Sequence, residues 1–355
     1  MQTKYNSSLP LVFAICGWSG SGKTWLLERL VEHFSKQGLA VGVVKHDAHQ
    51  LELDHDGKDT DRLWQAGACQ LLAHDQQQIF IRARKTTFEN IETHLNYLSR
   101  HVDFVLLEGH KNTTLPKLWL EHPEKRDKPD GLQNIQAILP WDAADRLEFA
   151  VDIINNWLTV AWSAIPLGAG ILVGGKSKRM GQPKAALNWQ GKNLIESILD
   201  TVKLIIPNPL LLGQLPEGIS FPDIKQIPDI TGCAGPMTGM LSAMRWEPNR
   251  GWLFAACDMP LISVEALQWL QTQRQPGRWV VLPCIEDKAQ PLLAIYEPQA
   301  KEILENAYRT GNFALRKTLH HPKTYRVAIP EKLTANWVNC NTPEEWSALQ
   351  NHLKI

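Results

Sequence analysis

The chain has 355 residues, of which 44% are hydrophobic and 21% charged, and its 37 basic and 37 acidic residues give zero formal net charge. This length suits two domains of about 100–200 residues each, and the composition is that of an ordinary globular protein. Zero net charge gives no basis for general electrostatic capture of nucleic acid or of an anionic membrane surface. No apolar run approaches the ~20 residues that span a bilayer.

Neither the cysteines nor the N-terminal residues suggest export. The six cysteines are scattered along the chain and form no CxxC pair. Such spacing predicts reduced thiols and argues against a disulfide framework or a zinc cluster. The first ten residues are polar and lack the pattern of a secretory signal, so we expect a cytoplasmic protein.

Apolar runs alternate with helix-period segments throughout, a pattern typical of parallel α/β folds. In the first half the pattern predicts strands at Leu11–Cys16, Ala40–Lys45, Cys69–Ala73 and Val102–Glu108, and helices at Lys23–Gln37, Asp59–Ala66, Phe88–Arg100 and Ala144–Leu158. In the second half it predicts strands at Ala169–Gly174, Asn208–Leu212, Gly251–Cys257 and Trp279–Cys284, and helices at Asn193–Leu204, Pro236–Arg245, Ser263–Thr272 and Gln299–Thr310. The helical pattern lapses over Thr159–Gly168, which predicts two domains, residues 1–160 and 167–355, joined by a short linker.

A glycine-rich loop lies between the first predicted strand and the first predicted helix. It reads Gly17-Trp-Ser-Gly-Ser-Gly-Lys23-Thr24 and matches the phosphate-binding pattern G-x-x-x-x-G-K-T in the right structural context. Gly17, Gly20 and Gly22 let the backbone aim its N–H groups at phosphate oxygens, and the helix N-terminus adds a favourable dipole. We expect Lys23 to reach the β- and γ-phosphates and Thr24 to place its hydroxyl on Mg²⁺. The alternative is a plain Gly/Ser-rich connection.

Further segments of the first half carry a family resemblance. Val41-Gly-Val-Val-Lys-His-Asp-Ala-His49 and Phe104-Val-Leu-Leu-Glu-Gly-His110-Lys111 resemble the MobB family, GTP-binding proteins of molybdenum cofactor assembly, and similar residues cover most of 8–158. Glu108 ends a predicted strand, where P-loop proteins place a carboxylate near Mg²⁺ or its waters. His46 and His49 also allow a metal site, although hydrogen bonding is the simpler role for two histidines in a loop.

A second glycine-rich loop follows the strand that opens the second half. It reads Leu172-Val-Gly-Gly-Lys-Ser-Lys-Arg-Met-Gly-Gln-Pro-Lys184. Gly174 and Gly175 permit close approach of a triphosphate, while Arg179 and Lys184 supply positive charge for the phosphates as they transfer. An exposed basic turn is the alternative, but it does not explain why the loop directly follows a buried type of strand.

The second loop resembles the opening motif L-A-G-G-x-S-x-R-M-G of molybdenum cofactor guanylyltransferases, the MobA family, with Val173 in place of the usual alanine. Matching segments continue in the family's order over nearly all of 167–350: Asp229, Gly235-Pro-Met-Thr-Gly239, Cys257-Asp258-Met-Pro260, Gln290-Pro291-Leu292, Arg316 and Asn339-Cys-Asn341-Thr342-Pro343-Glu344-Glu345. The chain departs from the family at Gly213-Gln214, where an asparagine often lies near the nucleotide. The Gly174-Gly175 pair, by resemblance, favours GTP over CTP.

Asp258 follows a predicted strand and is the best candidate ligand for Mg²⁺, which commonly combines one carboxylate with phosphate oxygens. A buried capping aspartate is the alternative. The resemblance implies further roles: Leu172, Gly174, Gly175, Lys184 and Asp229 for the nucleotide, and Arg316, Asn339 and Asn341 for the pterin substrate. Asp229 is expected at the guanine or ribose.

These resemblances predict a two-domain α/β protein, with an N-terminal P-loop NTPase domain of mostly parallel sheet and a C-terminal Rossmann-like nucleotidyltransferase domain. The expected reaction transfers GMP from Mg-GTP to Mo-molybdopterin and releases pyrophosphate, with Mg²⁺ as cofactor. Molybdoenzymes or other cofactor-assembly proteins are candidate partners, and a homo-oligomer is left open. Two alternatives stand beside this one: a nucleotide-dependent carrier without transferase activity, and nucleotidyl transfer to another phosphate acceptor.

Overall fold

The computed structural model describes residues 11–45, 57–83, 91–125, 127–174, 180–181 and 183–352. The strands are β1 Val12–Gly17, β2 Val41–Lys45, β3 Gln70–His74, β4 Ile79–Ala83, β5 Phe104–Glu108, β6 Lys117–Leu120, β7 Ile135–Leu139, β8 Leu167–Leu172, β9 Asn188–Trp189, β10 Lys192–Asn193, β11 Leu210–Leu212, β12 Gln226–Ile227, β13 Gly251–Ala256, β14 Val280–Ile285, β15 Lys288–Ala289, β16 Leu293–Tyr296 and β17 Thr324–Ala328. The helices are α1 Lys23–Lys36, α2 Asp59–Gln65, α3 Ile91–Leu98, α4 Arg146–Ser163, α5 Leu194–Lys203, α6 Met237–Trp246, α7 Val264–Thr272, α8 Ala300–Arg309, α9 Leu315–Thr318 and α10 Pro343–His352.

The first half is built on a five-stranded sheet in the order β2-β5-β1-β6-β7. Every neighbouring pair in it is parallel, as predicted. Strands β1 and β5 are buried along their length, which explains their nearly continuous apolar sequences. Because the strands are parallel, the carboxyl ends of β1, β2, β5, β6 and β7 lie at one edge of the sheet.

The second half has a mixed sheet rather than a parallel one. Its strand order is β12-β11-β8-β13-β16-β14-β15, and β17 pairs with β14. Strands β12, β11, β8 and β13 are mutually parallel, whereas β16 runs antiparallel to both β13 and β14. Strands β13 and β14 therefore run in the same direction, and the carboxyl ends of β8, β11 and β13 share one edge.

Helix α4 continues past the end expected at Leu158 and reaches Ser163. Its apolar stripe explains the extension, since Ala161 and Trp162 are buried one turn beyond Trp157 and Leu158. Only residues 164–166 separate α4 from β8. The division of the chain at 160 and 167 stays a prediction.

Two further expectations can be compared with the structure. All six cysteines are unpaired, and four of them, Cys16, Cys257, Cys284 and Cys340, are buried. Among the residues that the structure describes, no helix is both long enough and apolar enough to cross a bilayer.

Two candidate nucleotide sites

The N-terminal glycine-rich loop joins β1 to α1 at the carboxyl edge of the parallel sheet. Gly22 caps α1 in the left-handed region at φ 84°, which favours glycine. A Cβ atom at Gly17 would lie 2.5 Å from Ser21 Oγ and 2.7 Å from the carbonyl oxygen of Leu120. Any larger residue at position 17 would therefore force the loop away from β6.

Lys23 and Thr24, the first two residues of α1, both make side-chain contacts beside the glycine-rich loop. Lys23 Nζ donates to the carbonyl oxygens of Gly17 at 3.3 Å and Trp18 at 2.9 Å, so its ammonium lies over the loop. Thr24 Oγ1 lies 3.3 Å from each carboxylate oxygen of the buried Glu108. The two residues expected near Mg²⁺ thus meet at the ends of α1 and β5, an oxygen pair of the kind that Mg²⁺ prefers.

Arg146, at the start of α4, also contacts this loop, although no sequence motif indicates this contact. Its Nη2 donates to the carbonyl oxygen of Ser21 at 3.2 Å, across 125 residues of chain. Burial lowers the pKa of the Arg146 guanidinium below its ordinary value. A cation so far along the chain, with no motif around it, can be found only from the fold.

Four of the predicted residues lie outside the described part of the chain. They are Gly175, Arg179, His46 and His49.

A cavity of about 760 Å³ opens at the carboxyl ends of β8, β11 and β13 in the second half. Its walls include Leu172, Gly174, Lys184, Asp229 and Asp258. Five predicted residues from separate parts of the chain are therefore brought to one cavity. Parallel α/β sheets commonly bind ligands at this edge.

Lys184 is held between two side chains at the wall of this cavity. Its Nζ donates to Asp258 Oδ2 at 2.7 Å and to Asn341 Oδ1 at 2.7 Å. Only 15% of the Lys184 side chain and 18% of the Asp258 side chain are exposed, so this ion pair is largely desolvated. Partial exclusion of water strengthens the electrostatic interaction of the pair with a bound phosphate.

The second carboxylate oxygen of Asp258 fits a metal ligand. Asp258 Oδ1 is buried and has no hydrogen-bond partner among the described residues. Those residues also contain no group of three or more His, Cys, Asp or Glu side chains able to hold a metal. A divalent cation here would take most of its ligands from phosphate and water, the usual way in which proteins hold Mg²⁺.

Asn341 is itself held in place by the start of α10. Its backbone N–H donates to Glu345 Oε2 at 2.6 Å, and the backbone N–H of Glu345 donates to Thr342 Oγ1 at 3.2 Å. This is a variant of the capping box, for which Thr342-Pro-Glu-Glu345 was a readable signal in the sequence. The Cys340 N–H donates to the Asp258 carbonyl oxygen at 3.0 Å, which joins this segment to the acidic loop.

Asp229 lies on the opposite wall, among small residues. Thr238 Oγ1 donates to Asp229 Oδ1 at 2.9 Å. Cβ atoms at Gly174 and Gly213 would lie 3.5 and 3.4 Å from Asp229 Oδ2, so both glycines adjoin this carboxylate. Gly213, at φ 100°, brings its own backbone against Gly174, which gives the departure from the family pattern a local structural role.

None of the three predicted pterin contacts lines the cavity, although Asn341 is bonded to its wall through Lys184. Arg316 is exposed on the short helix α9 and makes no side-chain hydrogen bond or ion pair with a described residue. Asn339 Oδ1 is buried, and it has no hydrogen-bond partner in the described part of the chain. Neither residue is among those that line the cavity.

The thiol next to Asp258 is unsuited to nucleophilic chemistry. Burial, with the Asp258 charge as a smaller cause, raises the pKa of Cys257 to about 12. Burial likewise raises the pKa of Cys340. Both thiols therefore favour the protonated form, and the charged groups of the cavity wall beside them are Lys184 and Asp258.

The fold and the two sites define a two-part α/β protein with a P-loop site and a nucleotidyltransferase-like cavity. Residues 12–141 match the family described as molybdopterin guanine dinucleotide synthesis protein B, MobB. Residues 169–324 match the MobA-like NTP transferase domain.

Individual known proteins are similar to parts of this chain. A probable molybdenum cofactor guanylyltransferase of Bacillus licheniformis is 35% identical over 152 residues, 42% of this chain and 77% of the relative. Another from Halalkalibacterium halodurans is 31% identical over 192 residues, 50% of this chain and 94% of the relative. The crystal structure of Bacillus subtilis MobB is 24% identical and covers 41% of this chain and 98% of its own, with a TM-score of 0.32.

The chain belongs to the molybdenum cofactor guanylyltransferase family, with a MobB-type part fused ahead of the MobA-type part. Its class is that of a nucleotidyltransferase of molybdenum cofactor biosynthesis.

Proposed function

We propose that the C-terminal half transfers GMP from GTP to the terminal phosphate of Mo-molybdopterin. The observation that carries this proposal is the Lys184 ammonium fixed between Asp258 and Asn341 at the wall of the cavity. A carrier would need only to bind its ligand. A fixed cation beside a buried, unpartnered carboxylate oxygen is suited to phosphates whose charge changes during a reaction.

The reaction needs no protein nucleophile, because the substrate supplies one. An oxygen of the molybdopterin phosphate attacks the α-phosphorus of GTP and forms a new P–O bond. The bond from the α-phosphorus to the bridging oxygen breaks, and pyrophosphate leaves with the electron pair. Lys184 and Arg179 stabilise the negative charge of the transferring and leaving phosphates, and the cavity holds the two substrates in line.

Mg²⁺, held by Asp258 Oδ1 together with phosphate oxygens, would supply the remaining charge neutralisation for the leaving pyrophosphate. Asp229 is proposed at the guanine or ribose of the nucleotide, on the wall formed with Gly174 and Gly213. Asn339, Asn341 and Arg316 are proposed for the pterin substrate. Asn341 then has two tasks, since it also fixes Lys184.

For the N-terminal half, we propose GTP binding with slow hydrolysis in support of cofactor delivery to molybdoenzymes or other assembly proteins. Lys23 and the loop amides would hold the phosphates, and Thr24 would hold Mg²⁺ with Glu108 beside it. We place this domain at residues 1–160 and the transferase domain at 167–355.

The transferase proposal is tested with purified full-length protein, GTP, Mg²⁺ and Mo-molybdopterin. Asp258→Ala should abolish both dinucleotide and pyrophosphate formation without loss of the fold. Asp200→Ala is the matched control, because Asp200 is also paired with a lysine at 2.7 Å but lies half-exposed on α5. Wild-type activity in Asp258→Ala would refute the assignment.

Independence of the two sites is tested with Lys23→Ala. This substitution removes the P-loop cation. It should weaken nucleotide binding by the N-terminal half and leave pyrophosphate release by the C-terminal half unchanged. An equal collapse of transfer would show that the two sites depend on each other.

The two alternatives give different results in the same assays. A nucleotide-dependent carrier would bind GTP and cofactor but release no pyrophosphate. A nucleotidyltransferase for another acceptor would release pyrophosphate with a different triphosphate or a different phosphate compound, which a panel of the four nucleoside triphosphates detects.

A further inference from the structure

The two halves of the chain meet through the amino-terminal edges of their sheets. On the first half, the contacting residues immediately precede β2 and β5. On the second half, they precede β14 and β17 or follow β16, which runs in the opposite direction. The contacting residues are Gly38, Leu39, Val102 and Asp103 on one side, and Gly277, Trp279, Gln299 and Lys323 on the other.

Asp103 is the polar centre of this contact. Its side chain is fully buried and accepts from Lys323 Nζ and Trp279 Nε1, both at 2.6 Å. The backbone N–H of Ala40, in its own half, also donates to this carboxylate at 2.6 Å. A buried carboxylate requires such a set of donors, and here two of the three come from the other half of the chain.

Further contacts surround this ion pair. Lys323 Nζ also donates to the carbonyl oxygen of Gly38 at 2.7 Å. Gly277 adopts φ 82°, and a Cβ atom there would lie 2.7 Å from Leu39 Cδ2. One cluster of buried apolar residues contains members of both halves, among them Phe104 and Trp279.

The linker between α4 and β8 is fixed to the second half. The carbonyl oxygen of Ile165 accepts from Arg274 Nη2 at 3.2 Å, and that of Pro166 accepts from the Gly251 N–H at 2.9 Å. Arg274 is itself held by a buried ion pair with Glu297 at 2.7 Å. A linker bonded in this way does not act as a free tether.

This contact places both nucleotide sites on the far edges of their sheets. The P-loop follows the carboxyl end of β1, whereas Asp103 precedes the amino end of the parallel β5. The cavity likewise lies at the carboxyl ends of β8 and β13, whereas Trp279 precedes β14, which runs in the same direction. A strand of five or six residues puts each site about 16–20 Å from the shared face.

We propose that the Asp103–Trp279–Lys323 contact locks the two halves back to back as one rigid, cooperatively unfolding unit, with their nucleotide sites turned to opposite ends. The partner of this surface is the other half of the same chain. A product that leaves the cavity therefore has no direct passage to the P-loop of its own molecule. This proposal stands independently of which substrates the two sites bind.

Scanning calorimetry of the full chain tests the lock. Wild-type protein should unfold in one transition with equal calorimetric and van't Hoff enthalpies. Lys323→Met removes the cation of this contact, and Trp279→Phe removes the indole N–H together with part of the ring while keeping an aromatic side chain. Each variant should unfold in two separate transitions, one for each half.

Lys192→Met is the matched control, because Lys192 also pairs with an aspartate at 2.7 Å but wholly within the second half. It should keep the single transition. The proposal is overturned if Trp279→Phe and Lys323→Met both unfold in one transition with equal enthalpies. If Lys323→Met does not fold, Trp279→Phe alone decides, since it removes one hydrogen bond and part of one aromatic ring and leaves the Asp103–Lys323 ion pair in place.

Discussion

Replacement of Lys184 by alanine should slow guanylyl transfer without unfolding the protein. Lys184 Nζ lies 2.7 Å from both Asp258 Oδ2 and Asn341 Oδ1, so its ammonium is already in position before substrate binds. In surroundings with an effective dielectric constant of about 20, an ammonium about 4 Å from a phosphate oxygen contributes roughly 4 kcal/mol. Loss of one preorganised group of this kind typically costs about 2.7–4 kcal/mol, and we therefore expect kcat to fall by about 10²–10³.

The assay measures pyrophosphate release at saturating GTP and Mo-molybdopterin, with the melting temperature as a check on folding. Lys192→Ala is the control, since Lys192 makes an ion pair of the same 2.7 Å length but is half exposed. Exposed pairs contribute about 0–1 kcal/mol, so this variant should keep wild-type kcat. A kcat for Lys184→Ala equal to that of Lys192→Ala would refute the role assigned to Lys184.

Three further predictions concern positioning, pH and backbone strain. Glu345→Ala removes the side chain that holds the Asn341 backbone, and it should lower kcat roughly 10–100-fold. Thr342→Ala removes only the helix cap and should cost about 1 kcal/mol of stability. Equal losses of kcat in the two variants would contradict a positioning role for Glu345. Burial, and then Lys323, lower the pKa of His321 below 6.5, so the folded state favours the neutral ring. The stabilising contribution of His321 is therefore complete above pH 6.5 and declines as the pH falls below that value. In His321→Asn the melting temperature should fall less than in wild-type protein over this range, and an identical decline would count against the assignment. Gly213→Ala, at φ 100°, should cost about 1–3 kcal/mol of stability and weaken GTP binding, and an unchanged melting temperature would rule out strain at this position.

The sequence predicted best those parts of the fold that depend on local pattern. Strand β1, the glycine-rich loop and α1 follow one another within 25 residues of chain, and each has its own signal. Strand β6 was missed because it is short and begins at Lys117, a charged residue that the fold buries completely. Lys117 Nζ donates hydrogen bonds to two backbone carbonyl oxygens, an arrangement that is visible only in the folded chain.

Long-range features could not be predicted in the same way. The antiparallel direction of β16 depends on pairing with β13 and β14, and an apolar run does not specify direction. Lys184 and Asn341 are separated by 157 residues, and the resemblance assigned them to different substrates, so their contact was not predicted. The interface around Asp103 had no signal at all, because a single aspartate before a strand resembles any turn residue.

The central claim is that the C-terminal half is a catalyst, and pyrophosphate release tests it most directly. Wild-type protein is supplied with Mg²⁺, Mo-molybdopterin and each of the four nucleoside triphosphates in turn, and both products are quantified. We expect equal amounts of pyrophosphate and guanine dinucleotide with GTP, and neither product with the other three triphosphates. Tight binding of GTP and cofactor with no pyrophosphate would contradict it and would favour a carrier.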